Sequence, residues 1–318
     1  MSKFDAQFAG RLDGQTVLVT GTTKGGIGHE TAQGAGNSGA TVLVHARSAD
    51  HARRAVDLLV SNGNGEGQYL AVAGDLGSLA GVRDLVNAVH QASPKGLNGL
   101  VNNAGAAFAN KALSPDGYER TIAINHIAVA ALTEGLLDLL RKGADDFASP
   151  SRVVNMTALI ESRGSPITDW TYPGKYSQMH AYADAKLLAL MYTYAQARRH
   201  QGDGLTFNAV SPGTVNSGFG GKAGGTFKTV QALMKPFVGP PEKGSRGCVR
   251  LLADPDLATA TGGYYSSAKL KKSSKKSRDH DAQDRVYEQT ERELRIHNGG
   301  GPSRLSPAQP VRQRSRLH

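Results

Sequence analysis

The sequence predicts an α/β fold: one doubly wound parallel sheet with helices on both faces. Three observations carry that reading. Short Val/Leu-rich segments alternate with helical patterns from Gln15 to about Val210. The first such segment runs straight into a glycine-rich turn. A chain of 318 residues is long enough to bury the core of one large α/β domain.

The elements follow in order. "TVLVT" (16–20) reads as a strand, followed by a helix over about 26–38. "TVLVHA" (41–46), "QYLAVA" (68–73), "LNGLVN" (97–102), "RVVNM" (152–156) and "LTFNAV" (205–210) are further strands. Helical patterns lie at about 50–61, 78–92, 118–141 and 179–200. Right-handed crossovers between such units give the doubly wound sheet. Gly34 and Gly36 fall inside the first helix, and each is expected to weaken it by about 1 kcal/mol relative to alanine. The Gly-, Lys- and Pro-containing stretch 219–241 reads as a flap with a short helix. "GGYYSS" is a last strand. It is followed by a linker and a charged helix over 269–297 and a disordered tail over 298–318. The folded body is thus expected over 1–268.

Hydrophobic residues make up 39% and charged residues 20%, the balance of a soluble globule. No apolar run is long enough to span a bilayer, and the N-terminus lacks the layout of a signal peptide. Cys248 is the sole cysteine, which excludes an internal disulfide and makes a cytoplasmic site the default. The net charge of +10 is uneven: 13 Lys and Arg stand against 6 Asp and Glu from Lys269 onward, and 24 against 21 before it. The basic character therefore belongs to a C-terminal appendage, read as a solvated helix and tail.

"TVLVTGTTKGGIGHE" places a glycine-rich turn between a strand and a helix. Glycines there let the backbone approach a pyrophosphate, and the helix N-terminus favours the anion. The expected contacts are Gly21, Gly26, Ile27 and Gly28, within a Rossmann-type dinucleotide site. At the end of the second strand, "VHARS" offers Arg47 and no acid where an Asp or Glu would hold a ribose diol. A guanidinium there suits a 2′-phosphate, and Lys24 in the turn adds a second positive charge. NADP is the cofactor expected.

"HAYADAKLLAL" puts Tyr182 and Lys186 four residues apart on one helix face. A phenol of pKa about 10 is a poor acid or base near neutrality, and an adjacent ammonium is expected to lower that value. Lys186 can also hold the nicotinamide ribose.

With these motifs in order, the sequence resembles the short-chain dehydrogenase/reductase family over roughly 12–268. "GDL" (74–76) resembles the segment that holds the adenine, which implies Asp75 and Leu76. "NNAG" (102–105) matches the motif beside the cofactor, which implies Asn103, Ala104 and Gly105. "INHIAVAALT" carries Asn125, which the family uses to hold a water in the proton relay with Lys186. "SPGTV" (211–215) resembles the loop against the nicotinamide carboxamide, implying Pro212, Gly213 and Val215. Within the family, "HARS", the long gap before the tyrosine and the ending "GGYY…DRVYEQTEREL" look like the retinol-dehydrogenase-like branch and bacterial ketoreductases of bulky metabolites.

Two departures stand out. The family spaces its turn glycines G-x-x-x-G-x-G, and Gly21 to Gly26 is one residue longer unless Gly25 takes the second role and the third shifts, so the turn must bulge. The family also follows the strand before the tyrosine helix with two serines, the second of which orients the substrate oxygen. Here the slots hold Thr157 and Ala158. Thr157 is one replacement, a loop serine (Ser162 or Ser165) a second, and no replacement a third.

The resulting expectation is an NADP(H)-dependent oxidoreductase. It would move hydride between the nicotinamide and a carbonyl or secondary alcohol of a bulky lipophilic or polycyclic metabolite. Tyr182, Lys186, Asn125 and Thr157 would form the catalytic set, with no metal. A cofactor-binding sensor with little catalysis is the alternative. The basic tail lacks the interleaved aromatics of a base-stacking surface, so no nucleic-acid partner is expected. The family implies pairing into homo-oligomers.

Overall fold

The computed structural model describes residues 3–62, 67–213 and 239–297. Eight strands form one sheet: β1 (Thr16–Val19), β2 (Thr41–Ala46), β3 (Gln68–Ala73), β4 (Gly99–Asn102), β5 (Ser151–Met156), β6 (Leu205–Ser211), β7 (Tyr264–Ser266) and β8 (Lys269–Lys271). Their order is β3-β2-β1-β4-β5-β6-β7-β8. All neighbours are parallel except β7 and β8, which pair antiparallel. The order reverses between β1 and β4, and a doubly wound sheet opens its crevice at that point.

Successive strand residues point to opposite faces, and both faces are covered. Val17, Val19, Val42 and Val44 pack against α2 (Ile27–Asn37), α3 (Ala49–Asn62) and α9 (Pro241–Ala253). Leu18, Leu43, Leu100 and Val153 pack against α4 (Leu79–Ala92), α6 (Ala128–Gly135) and α7 (Leu137–Phe147). Gly34 and Gly36 have a packing reason to be glycine: a Cβ on Gly34 would lie 2.6 Å from Val249 Cγ2, and one on Gly36 would strike the Tyr69 hydroxyl.

Three local outcomes differ from the sequence reading. The helix expected over 118–141 is broken. A short turn α5 (Arg120–Ile122) passes into a π-helical turn over Ala123–Ile127, and α6 and α7 meet at a 53° bend. The segment expected as a linker after Lys269 contributes β8, whose pairing with Tyr264–Ser266 overrides its polar composition. Residues 219–238 of the expected flap, and the tail from 298, lie outside the described residues.

The charged C-terminal helix forms as α10 (His280–His297), but it is not a free appendage. Ala282, Val286, Thr290 and Leu294, four residues apart, make one buried stripe against α8 (Gln178–Arg199). Tyr287 stacks on Tyr192 of α8 at 5.2 Å, and Arg198 pairs with Asp284 at 2.8 Å. This cover explains why α8 is buried on nearly all sides. No single helix among the described residues is long and apolar enough to cross a membrane.

Between the two helices, Tyr192 Oη lies 3.0 Å from Glu134 Oε1 and 2.9 Å from Glu291 Oε1. A phenol has one proton to donate, so satisfying both bonds requires one carboxyl to keep its own. Burial, then repulsion from Glu291, pushes Glu134 up to about 7. A carboxyl whose pKa is higher folded than unfolded gives its full stabilisation below the unfolded value, and loses it as pH climbs through the folded one. Buried His126, pushed down to about 3, acts oppositely on the acid side. Between about pH 5 and 8, the wild type should therefore lose about 2–4 °C more in melting temperature than Glu134→Gln. Parallel curves for the two proteins would show that the pair holds no extra proton.

Candidate active site

The cleft lies where β1, β4, β5 and β6 end, and it encloses about 680 Å³. Its first wall is the glycine-rich turn. Gly21 has φ +72°, and a Cβ there would lie 2.9 Å from Ala104 Cα. Gly28 has no room either, since a Cβ would lie 2.5 Å from Gly21 O. The extra residue of the turn is absorbed at Gly25, which has φ +70° and open space around it. The Gly26 amide bonds to Thr23 O at 3.0 Å and closes the bulge. Helix α2 then starts at Ile27 with Gly26 as its N-cap, a residue with no side chain to cap the first amides. Uncapped amides beside a side-chain-free turn fit a dinucleotide pyrophosphate.

The turn is stitched to the β4 end. Asn103 donates from Nδ2 to Thr20 O at 2.8 Å, and Thr20 Oγ1 accepts from the amides of Asn103 and Ala104, each at 2.9 Å. His45, which the sequence reading passed over in favour of its neighbour Arg47, holds the turn from the other side. Its Nδ1 accepts from the Gly21 amide at 3.1 Å, and its Nε2 reaches Gly74 O at 2.9 Å. One neutral tautomer serves both bonds, with Nε2 as the donor. Burial lowers the His45 pKa and keeps the ring neutral. The signal in sequence was a polar ring in an otherwise apolar strand.

Arg47 is exposed and lines the cleft beside His51, Asp75 and Leu76. Asp75 Oδ1 accepts from the Gly77 amide at 2.9 Å. Lys24 is exposed on the turn and does not line the cleft. Its charge instead bears on His29, whose pKa is lowered first by burial and then by Lys24. Gly21, Gly26, Ile27, Asn103, Ala104, Gly105, Pro212 and Gly213 all line the cleft. Val215 lies outside the described residues.

Tyr182 and Lys186 come together at the far wall, on the first turns of α8. Lys186 is 4% exposed, and its Nζ donates to Met156 O at 2.8 Å while sitting 5.7 Å from the Tyr182 ring centre. The expected lowering of the phenol pKa is not found. Burial governs both groups: it raises the phenol above its ordinary value and pushes the ammonium down to about 8. At neutral pH the pair is thus a neutral phenol beside a mostly charged lysine, the state a proton donor requires.

Asn125 sits in the π-helical turn. Its Nδ2 donates to Ala106 O at 2.6 Å and Thr121 O at 2.7 Å. Its buried Oδ1 has no partner among the described residues. A Cβ on Gly105 would lie 2.6 Å from this Oδ1 and 3.5 Å from Lys186 Nζ, so Gly105 is bare where Asn125 and Lys186 converge.

Thr157 continues β5, its amide donating to Val210 O at 2.8 Å. It is 4% exposed and lines the cleft, and its buried Oγ1 has no partner among the described residues. Ala158 also lines the cleft. The loop serines are placed elsewhere. Ser162 donates to Leu159 O, Ser165 is held through its amide by Asp184, and neither lines the cleft.

Residues 15–226 match the family model for short chain dehydrogenase. Human retinol dehydrogenase 13 is 28% identical over 292 residues, spanning 88% of this chain and 85% of that protein. The chloroplastic short-chain dehydrogenase TIC 32 B of Brassica napus is 30% identical over 264 residues, 80% of this chain and 81% of its own. Among solved structures, the Pseudomonas aeruginosa RhlG/NADP active-site complex superposes with a TM-score of 0.65 at 26% identity, over 84% of this chain and 97% of that one. Landomycin C-6 ketoreductase LanV with bound NADP and rabelomycin shares the fold at a TM-score of 0.61 and 23% identity, over 82% and 97% of the two chains. The chain belongs to the short-chain dehydrogenase family, in its retinol-dehydrogenase-like branch, and is an oxidoreductase acting on CH–OH or C=O groups.

Proposed function

We propose that the protein is an NADP(H)-dependent ketoreductase or alcohol dehydrogenase for a bulky lipophilic or polycyclic metabolite. The observation that carries the cofactor choice is Arg47, exposed at the end of β2 and facing the cleft. RhlG and LanV are both described with NADP, and the retinol dehydrogenases by their names act on a lipophilic alcohol.

A nicotinamide dinucleotide held by the turn over 21–28 and the β4 end would supply or accept the hydride. The chain's own residues do the rest. Tyr182, kept neutral by burial, gives its proton to the carbonyl oxygen in reduction and takes it back in oxidation. Lys186, an ammonium over most of the neutral range, stabilises the phenolate left behind. Asn125 Oδ1, beside Gly105 and without a partner among the described residues, offers an acceptor where the relay must leave the site. The Thr157 hydroxyl, buried at the cleft wall and without a partner among the described residues, is the donor assigned to the substrate oxygen as it gains charge.

A panel of ketones and alcohols tested with NADPH and NADH checks the cofactor assignment. NADPH should be preferred, and Arg47→Asp should raise its Michaelis constant by roughly tenfold or more, the loss of one charge-assisted bond. A wild type that prefers NADH, or a variant that keeps its NADPH affinity, contradicts the role of Arg47.

Thr157→Val keeps the side-chain volume and deletes the hydroxyl. It should raise the barrier by about 3 kcal/mol, on the order of a hundredfold in turnover, with cofactor affinity retained. Ala158→Ser should change little, because the donor is already in place. A silent Thr157→Val beside an activating Ala158→Ser would put the missing donor at Ala158 instead.

A further inference from the structure

A second cleft, of about 880 Å³, lies between the β7–β8 hairpin, α8 and the start of α10. It shares no lining residue with the dinucleotide cleft. Its cations are Arg198, Lys271, Lys272 and Arg278, and no carboxylate lines it. Two of them belong to β8 or its end, and that segment is unusual in itself. Residues 269–278 read "KLKKSSKKSR", with five lysines, one arginine and no acid. All six cationic side chains are exposed. None lies within ion-pair distance of a carboxylate among the described residues. Two of the acids that follow are engaged elsewhere: Asp279 accepts from the Ala282 amide, and Asp284 pairs with Arg198 and Arg199. Second in the run, between Lys269 and Lys271, Leu270 is 65% exposed.

These charges are fixed in place. β8 pairs with β7 in register, Leu270 opposite Tyr265. Glu161, 2% exposed, accepts from the Ser274 amide at 3.0 Å and from Ser274 Oγ at 2.7 Å. Lys276 Nζ donates to Gly164 O at 2.6 Å. The basic segment is therefore fastened to the loop that follows Thr157 and Ala158, and that loop carries a second exposed leucine, Leu159.

We propose that the segment Lys269–Arg278 is a docking surface for an anionic lipid bilayer. Five of the six cations are lysines, compact point charges suited to a diffuse negative surface. The exposed Leu270 near the start of the run gains nothing from a phosphodiester backbone but gains by entering the acyl boundary. The run has no aromatic side chain on which a nucleic-acid base would stack. Each cation near an anionic surface adds about fivefold in affinity, so the contact is reversible and falls with salt. No spanning helix is required. The proposal is independent of the cofactor and substrate reading.

Sedimentation of the full chain with vesicles tests it, using phosphatidylcholine alone and phosphatidylcholine mixed with phosphatidylserine. Binding should occur to the mixed vesicles and decline with added salt. Lys271→Glu with Lys272→Glu should weaken it by about tenfold or more. Leu270→Ser should weaken it several-fold and leave the salt dependence unchanged. All three positions are exposed and lie outside the dinucleotide cleft, so an unchanged thermal unfolding curve reports an intact fold. Equal binding to neutral vesicles, or no effect of the double lysine variant, overturns the proposal. So does loss of binding through Arg312→Gln, Arg314→Gln and Arg316→Gln in place of the hairpin variants. Tighter binding to duplex DNA, abolished by the same lysine variants, overturns it in favour of a nucleic-acid surface.

Discussion

The hydrogen bond from Lys186 Nζ to the Met156 carbonyl oxygen joins the long helix α8 to the end of the central strand β5. An ammonium this deep needs a partner, since an unpaired charge in a dry interior is prohibitively costly. Met156 supplies one with a main-chain oxygen that no side-chain substitution removes. The bond fixes the height of α8 along the sheet, and so the position of Tyr182 one turn earlier. The same requirement shapes the neighbours. Gly105 carries no side chain where Lys186 and Asn125 meet, and α10 covers the outer side of α8, so the helix is held from both directions.

The dinucleotide end depends on a different constraint, the absence of side chains. A turn one residue too long for its family keeps its geometry because Gly25 takes a left-handed conformation that faces open space. Gly21 and Gly28 then meet Ala104 and Asn103 as they must. Thr20, Asn103 and His45 tie the turn to three strand ends, so the cradle is rigid without any contribution from the helix cap. The candidate site combines a glycine-lined turn, the Tyr182 phenol beside the buried Lys186 ammonium, and a Thr157 hydroxyl with no partner among the described residues.

Much of this was legible in the sequence. Strands β2 and β3 fall on the expected residues, and β1, β4, β5, β6 and β7 shift by one or two positions, because parallel strands announce themselves as short runs rich in valine and leucine. The pairing of Tyr182 with Lys186 follows from helical spacing alone. Features set by tertiary contact were not legible. The π-helical turn at Ala123–Ile127 sits inside a sequence with ordinary helical periodicity. β8 is polar, and exists because β7 offers it an edge. The buried stripe of α10 was hidden by a run of charges on its other faces. Lys24 could be placed near the cleft by sequence distance, but not into it, because the bulge at Gly25 decides where the turn carries it. The direction of the Tyr182 shift was misjudged for a related reason: charge proximity is visible in a sequence, and depth of burial is not.

The central claim is that Tyr182 is the proton donor and acceptor of a working hydride-transfer site. Turnover of Tyr182→Phe on a carbonyl reduced by the wild type, measured with cofactor affinity in parallel, tests it most directly. The account predicts a loss on the order of a hundredfold or more in turnover, with cofactor affinity nearly unchanged. Wild-type turnover in that variant would contradict it.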